Sequence, residues 1–392
     1  MLSLISLEIK KYWRFKTLIV IIIFVLIGMY FVAINEKYYA TVHEQSKSFL
    51  QDKMVKLSEE NIKNYTEEID KLNKKGDTYT AKKLEGYKKE EEERLEISRL
   101  ERDAKTKEDR FNLNFRRAEL SFKTLNSQSN QGSLGTIKDY ELYKQYKDKN
   151  IVPEDAKLTA LNFVKDYPSQ LNVIIVSVLI MVLVGDCMSF ERGSTLVGYL
   201  SQPITKRKFI LSKFIAAIVV SVVIFTSIEI LIFIIMGLKN GWGPLSSPTS
   251  FMARYNTGRS LPQYIPNSQG FISGYKFTVY SFLIQILYIS AITSIGFLVS
   301  VISEKASTAI SINIGIILIA YTLVYKAKII PYMHKYIFSS YADIAGLISG
   351  ELQFKRVNSS LTLQSGIISM ILTTIICLIA SRIIFRKQEI YF

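Results

Sequence analysis

Few residues in this 392-residue sequence have the chemistry or the spacing that catalysis requires. Cys187 and Cys377 are its two cysteines, and each lies in an apolar segment, which is typical of a small buried side chain. His43 and His334 are isolated from each other and from both cysteines along the chain. The sequence therefore predicts no metal-binding, cofactor-binding or catalytic residues in this chain.

Nucleotide-binding and hydrolase motifs are also absent. The chain has no G-x-x-x-x-G-K-[ST] loop, no H-E-x-x-H and no G-x-S-x-G. Gly185-Asp186 matches half of an intramembrane aspartyl protease signature, but the other apolar segments offer no second aspartate to share the proton. We therefore expect that this chain is not an enzyme.

One carboxylate lies in an apolar stretch, where a charged side chain costs a few kcal/mol unless it is paired or hydrated. Glu229 is about nine residues from the outer end of the third apolar segment. It could contact a cationic substrate or a buried donor on a translocation path, serve as a helix-packing carboxyl, or reach the outer interface. Gln285 and Asn313 are further candidates for polar groups on that path, and Tyr288 and Tyr321 are additional possible partners.

Six apolar segments are long enough to cross a hydrocarbon core of about 30 Å as helices. They are residues 17–35, 168–190, 209–238, 275–302, 306–325 and 366–385. Hydrophobic residues supply 49% of the chain, and the first segment lacks the cleavage site of a signal peptide. The sequence predicts an all-α polytopic membrane protein with six transmembrane helices.

The distribution of lysine and arginine predicts the orientation of these helices. Short stretches at the N-terminus, around 186–213, at Lys305 and at the C-terminus carry 13 basic residues. The longer loops 239–274 and 326–365 carry eight. We expect both termini, including the tail 386–392, to be cytoplasmic and residues 36–167 to be extracellular.

Residues 36–167 form a polar block with 27 basic and 26 acidic residues. Its composition predicts helix almost throughout residues 40–126, with one break at Asn73–Asp77 where Gly76-Asp77 fits a tight turn. Apolar seams follow helical spacing on both sides of the break. These seams are Ile62, Tyr65, Ile69 and Leu72, and then Phe111, Phe115, Ala118, Phe122 and Leu125. These patterns predict an extracellular helical hairpin. The hairpin either contacts substrate, cell wall or an accessory protein, or is a spacer without a ligand.

The tail 1–16 mixes apolar and basic residues. Leu4, Ile5, Trp13 and Phe15 alternate with Lys10, Lys11 and Arg14, a pattern that favours a helix lying along the inner membrane surface. The alternative is a simple extension of the first span. The basic excess next to apolar spans points to anionic lipid headgroups rather than nucleic acid.

The connection between the second and third spans, residues 191–208, has its own start and stop signals. Gly193 permits a sharp exit from the membrane helix, and Ser194 or Thr195 can cap a new helix. Pro203 ends that helix before a basic cluster that includes Arg207. A short amphipathic helix held between two spans suits docking into a groove of a soluble partner, and an ordinary interfacial loop is the alternative.

This connection resembles the coupling region of the ABC type-2 permease family. The matching residues are Glu191, Gly193, Thr195, Pro203, Arg207 and Lys213, and the ending Phe385-Arg-Lys-Gln-Glu-Ile390 is similar as well. The resemblance covers roughly residues 1–35 and 168–392 and leaves out the polar block. It implies that Glu191, Arg192, Gly193, Ser194, Thr195, Leu196, Pro203 and Arg207 contact an ATPase. The resemblance also implies re-entrant helical elements in the loop 326–365, and the amphipathic stretch 331–352 fits this expectation.

Further implications of the resemblance concern partners and cargo. The chain would pair with a second permease copy or paralogue and with two ABC ATPase subunits, which bind the ATP and Mg²⁺. The complex would be an exporter in a bacterial plasma membrane. Its cargo would be an amphipathic or antimicrobial peptide or a drug-like amphiphile, for export or self-immunity, with a lipid-linked molecule or an ion as alternatives. A non-transporting scaffold or receptor that uses its helical arm is the competing function, and a membrane enzyme is a third.

Overall fold

The computed structural model describes residues 2–45, 51–104, 106–127, 135–153, 157–191, 205–258, 262–326 and 331–387. Six helices in these ranges are long and apolar enough to cross a membrane. They are Phe15–Thr41, Ala160–Glu191, Lys206–Asn240, Gly274–Ile302, Ala306–Val324 and Leu363–Lys387. The predicted all-α polytopic fold with six spanning helices is therefore confirmed.

Helices account for most of the described chain. They are α1 (Leu2–Lys11), α2 (Phe15–Gln45), α3 (Gln51–Lys75), α4 (Thr78–Asp103), α5 (Lys107–Ser127), α6 (Gly135–Asp148), α7 (Ala160–Leu171), α8 (Ser177–Val184), α9 (Lys206–Asn240), α10 (Gly274–Ile302), α11 (Ala306–Tyr321), α12 (Ile344–Ser349), α13 (Glu351–Arg356) and α14 (Leu363–Lys387). Two antiparallel strand pairs lie between α9 and α10. Strand β1 (Pro248–Phe251) pairs with β4 (Gly270–Ser273), and β2 (Tyr255–Asn256) pairs with β3 (Gln263–Tyr264).

Aromatic side chains join the first three spans. Phe24 of the first span lies 4.8 Å from Phe225 of the third between ring centroids, and Phe31 meets Tyr167 of the second span edge-on at 5.4 Å. Phe163 adds a further ring contact to Tyr167 at 4.8 Å. All five rings are buried, so ring packing sets how these helices face one another.

The second span is interrupted by a π-helical turn. Its helix begins at Ala160, capped by the Thr159 side chain, rather than at residue 168. Pro168 lies inside α7, and the π turn Asn172–Val176 follows it before α8 resumes the α-helical pattern. A π turn frees a backbone carbonyl from the regular ladder and often occurs at functional positions, which makes this turn relevant to the site below.

The polar block folds into the four helices α3–α6, which we call the arm. Gly76 adopts a φ of +78°, and the Asp77 side chain accepts a hydrogen bond from the Thr80 amide, so the predicted turn between α3 and α4 is present. Helix extends over almost all described residues of 40–126, with a second break at Ala104, which is extended. Thr106 then accepts a hydrogen bond from the Asp109 amide and starts α5.

Helix α5 folds back and packs on α6. The seam residues Phe115 and Phe122 lie against Tyr140 of α6, with the Phe122 and Tyr140 rings stacked at 4.5 Å. Phe111 makes a tilted ring contact with Tyr143 at 6.0 Å and an edge-on contact with Tyr146 at 6.3 Å. The α5 seam predicted from its spacing thus packs mainly on α6.

The arm is docked on a small cap made of the four strands with α12 and α13. Lys138 of α6 forms an ion pair with Glu351 of α13, and Glu141 accepts hydrogen bonds from the Tyr264 hydroxyl and the Gln269 side chain. Gly350, at a φ of +85°, lies so close to Ala253 that a Cβ would fall 2.0 Å from the Ala253 carbonyl oxygen. The arm is therefore joined to the bundle by several side chains and not by chain connections alone.

Candidate functional site

Four charged side chains meet at the end of the bundle that carries α1, which we call the α1 end. Lys213 of α9 places its Nζ atom 2.7 Å from Glu8 and 2.5 Å from Glu191. Lys11 Nζ lies 2.9 Å from the same Glu8 and 3.0 Å from Glu191. The two ammonium groups and two carboxylates alternate in a closed ring, which we call the charge cluster.

Local structure explains how three distant segments reach this point. Glu8 and Lys11 are three residues apart on α1 and therefore share a helix face. Glu191 lies in the 3-10 turn Ser189–Glu191 that ends the second span, and Lys213 lies two turns into α9. The Ser300 hydroxyl accepts hydrogen bonds from the Met188 and Ser189 amides, which holds this turn against α10.

Burial makes the charge cluster an energetically sensitive feature. The side chains of Glu8, Glu191 and Lys213 are 2%, 5% and 4% exposed. Buried ions at such exposures are tolerated only when each charge has a partner, and removal of one partner typically costs about 3–5 kcal/mol. The equal numbers of positive and negative groups balance the cluster, so α1, the second span and the third span are held to one another at this end.

A second layer of contacts surrounds the cluster. Lys16 Nζ lies 2.6 Å from Asp186, so the start of the first span is also tied to the end of the second. The Arg14 guanidinium lies 4.6 Å from the centre of the Phe190 ring. Together with Lys11 of the cluster, these two basic residues contact the segment 186–191 that precedes the 192–204 connection.

Of the predicted ATPase-contact residues, the structure describes Glu191 and Arg207. Glu191 is part of the charge cluster, and Arg207 lies exposed in the first turn of α9, where the Thr205 side chain caps the helix. Arg192, Gly193, Ser194, Thr195, Leu196 and Pro203 fall outside the described residues. Sequence reasoning missed Glu8, although it is the one acidic residue in the first 35 positions, amid basic neighbours.

A buried polar chain crosses the middle of the bundle. Gln285 of α10 donates a hydrogen bond from Nε2 to Glu229 Oε1 at 2.7 Å. The Gln285 side chain also exchanges two hydrogen bonds with Asn172, at 2.7 and 3.0 Å. Glu229, Gln285 and Asn172 are at most 3% exposed, so a carboxyl and two amides connect the third, fourth and second spans.

Asn172 is also the first residue of the π turn. Its carbonyl accepts hydrogen bonds from the Ser177 hydroxyl at 2.6 Å and from the Tyr288 hydroxyl at 3.3 Å. The Asn172 side chain also donates to the Ala342 carbonyl at 3.3 Å. The polar chain therefore extends from Glu229 to the segment that leads into the cap.

Two of the three predicted path residues come together and the third does not. Glu229 and Gln285 are in direct contact, whereas Asn313 donates to the Gly296 carbonyl at 3.4 Å in another part of the bundle. A Cβ at Gly185 would lie 2.7 Å from the Asn313 amide nitrogen, so Asn313 fills a close helix contact. Asn172 takes the place that the sequence analysis gave to Asn313, and its polar type inside the second apolar segment was the available signal.

Comparison with protein families decides the class of this molecule. The profile of the family described as ABC-2 family transporter protein matches residues 2–389. The chain belongs to the ABC-2 transporter family. A search of curated proteins finds no match to this chain.

Family membership gives the six spans their broad role. This ABC-2 transporter protein is a multi-pass membrane component of an ABC transporter, and the family implies partnership with an ABC ATPase. The match includes residues 36–167, so the arm lies inside the family region although the resemblance seen in the sequence left it out.

Proposed function

We propose that this chain is the permease of an ATP-driven exporter and that residues 191–208 receive the ATPase. Its partners would be two ABC ATPase subunits, which bind ATP and Mg²⁺, and a second permease copy or paralogue. The main support for the proposal is the charge cluster, because two of its residues lie on either side of the connection 192–204 in the sequence. Glu191 immediately precedes that connection and Lys213 follows it, while α1 supplies the other two charges.

This arrangement provides a mechanical reason for coupling. A displacement of the connection acts on Glu191 at one end and on α9 at the other. Because Glu191 and Lys213 share partners in a buried ring, neither can move alone without exposing an unpaired charge in a region of low dielectric. The second span, the third span and α1 therefore move together when the partner pushes on the connection.

The cargo that fits this site best carries a cationic group. Glu229 lies in the third span and is held by a neutral amide donor of Gln285, so its carboxyl has acceptor capacity left for an amine or guanidinium. An amphipathic or antimicrobial peptide, or a drug-like amphiphile, combines such a group with apolar surface. Outward export or self-immunity is what the family resemblance implies for such a cargo. The competing function, a scaffold that uses the arm, gains some support from the docking of the arm on the cap.

Purification with the partner and ATP hydrolysis together test the proposal. The chain is extracted in mild detergent with its ATPase, reconstituted in nanodiscs, and compared with Glu191→Gln and Lys11→Gln. Both variants should still fold but show roughly a tenfold loss of cargo-stimulated ATP hydrolysis, within the range of ordinary coupling free energies. Glu304→Gln is the matched control, because Glu304 is an exposed carboxylate between the fourth and fifth spans.

Two results would contradict the proposal. One is a chain that purifies without any ATPase under conditions that keep other membrane complexes intact. The other is a Glu191→Gln variant whose ATPase assembly and turnover match those of the unaltered protein, while its thermal stability falls.

A further inference from the structure

An apolar groove runs between the end of α1 and the lipid-exposed side of α9. Ile9, Trp13 and Thr17 form one wall, and Val219, Val220 and Val223 form the other. The groove has a volume of about 90 Å³, enough for a short stretch of hydrocarbon chain that continues along its open side. No step of the proposed ATPase coupling uses this groove.

The position of the groove favours a lipid chain as its occupant. Thr17 lies in the first turn of the first spanning helix, so the groove begins at the level where that helix enters the membrane. Val223 is 56% exposed and Trp13 is 75% exposed. Exposed valines on a spanning helix face hydrocarbon, and a tryptophan next to them is typical of the headgroup boundary.

Two cationic residues close in sequence to the groove residue Trp13 favour an anionic headgroup. Lys10 lies three residues before Trp13 and Arg14 directly follows it, and both are exposed. Within the part of the chain that the structure describes, neither forms an ion pair with a carboxylate, whereas their neighbours Lys11 and Lys16 do. Two exposed cations therefore lie near an apolar channel, one of which, Arg14, also contacts the Phe190 ring. This arrangement complements a phosphate joined to an acyl chain.

We propose that this groove binds one anionic phospholipid. The acyl chain lies between α1 and α9, and the phosphate is bound by Arg14 and Lys10. Because α1 also carries Glu8 and Lys11, the lipid holds the helix that completes the charge cluster against the third span. Lipid binding in this groove requires neither the ATPase nor the cargo, so its test is independent of the test of the proposed function.

Tryptophan fluorescence provides a direct test, since Trp13 and Trp242 are the two tryptophans in the sequence. In a Trp242→Phe background, the full chain is reconstituted in vesicles of phosphatidylglycerol and phosphatidylcholine, with one or the other lipid brominated on its acyl chains. We expect brominated phosphatidylglycerol to quench Trp13 with a preference of about fivefold over brominated phosphatidylcholine. One cation near a membrane surface contributes a preference of about this size. Arg14→Gln combined with Lys10→Gln should abolish the preference.

Filling the groove is the second arm of the test. Val219→Phe should reduce quenching by the brominated anionic lipid at least twofold. Leu231→Phe, on the same helix and similarly exposed but outside the groove, should leave it unchanged. Equal quenching by both lipids would overturn the proposal. So would an absence of quenching by either lipid, which would mean that another protein surface covers Trp13, or an unchanged preference in Val219→Phe.

Discussion

At the scale of single residues, this protein places its ionisable groups in two arrangements with different consequences. At the α1 end, Glu8 and Glu191 are fully compensated by two lysines. In the middle of the bundle, Glu229 is bonded to the neutral Gln285. A compensated ring is suited to holding helices together, whereas a carboxyl with a neutral partner retains the capacity to accept a further donor.

The role of Glu229 leads to a prediction about transport. Glu229→Gln keeps an acceptor oxygen for Gln285 but removes the carboxylate, so transport of a cationic cargo into reconstituted vesicles should fall roughly tenfold or more, as expected for loss of one charge-assisted hydrogen bond. Thr226→Val, a buried position on the same helix, is the matched control and should transport normally. Unchanged transport in Glu229→Gln, with lowered thermal stability, would assign Glu229 to helix packing.

At the scale of elements, side-chain contacts hold the arm, which is a long insertion, against the cap. Helix α6 contacts the cap through Lys138 and Glu141. The β1–β2 connection is hydrogen-bonded to α12 through the amides of Met252 and Ala253. The cap in turn follows Ala342, which accepts a hydrogen bond from Asn172 of the second span. A continuous set of contacts thus connects the second span with the base of the arm, so a movement of this span can be transmitted to the arm.

The ion pair between Lys138 and Glu351 makes this docking dependent on pH. Burial opposes ionisation of Glu351, but the Lys138 ammonium, helped by the charges of Lys355 and Lys165, holds the pKa of Glu351 below its ordinary value of 4.5. For Lys138, burial opposes the charge, and Glu351 and Tyr255 raise its pKa above the ordinary 10.5. The stabilisation is therefore complete above pH 4.5, and it is lost as the pH falls through the folded pKa of Glu351.

Hydrogen exchange measures this loss. Amides of α6 should exchange faster in the full chain as the pH is lowered below about 4.5, after correction for the intrinsic rate. Glu351→Gln should show fast exchange already at pH 7 and little further change on acidification. Glu67→Gln, an exposed carboxylate on α3, should behave like the unaltered protein. Identical exchange profiles for Glu351→Gln and the unaltered chain would refute the role of this ion pair.

At the scale of the whole molecule, net charge is distributed unevenly between the arm and the bundle. The arm region 36–167 has a net charge of +1, from 27 basic and 26 acidic residues, and the remainder carries the other +14. Because the short basic stretches gather at the α1 end, that end is expected in the cytoplasm and the arm outside.

Accessibility of introduced cysteines tests that orientation. In a background with Cys187→Ser and Cys377→Ser, Gly86→Cys on the arm should react with a membrane-impermeant maleimide on intact cells. Gly86 has open space around it, so the substitution should not disturb the fold. Glu304→Cys at the α1 end should react only after permeabilisation. Labelling of Glu304→Cys on intact cells would reverse the orientation and remove the basis for ATPase contact at 191–208.

The sequence alone determined the six spans, the absence of nucleotide-binding and hydrolase motifs, and the turn at Gly76-Asp77. Each of these depends on local composition, length or a backbone preference, so each can be read without knowledge of what packs where. The tertiary structure decided which polar groups meet. Glu8 pairs with Lys213 across 205 positions, and Asn172 with Gln285 across 113. Such pairings depend on how each helix is rotated about its axis, which the apolar pattern does not specify, and this is why Gln285 connects Glu229 with Asn172 and not with Asn313.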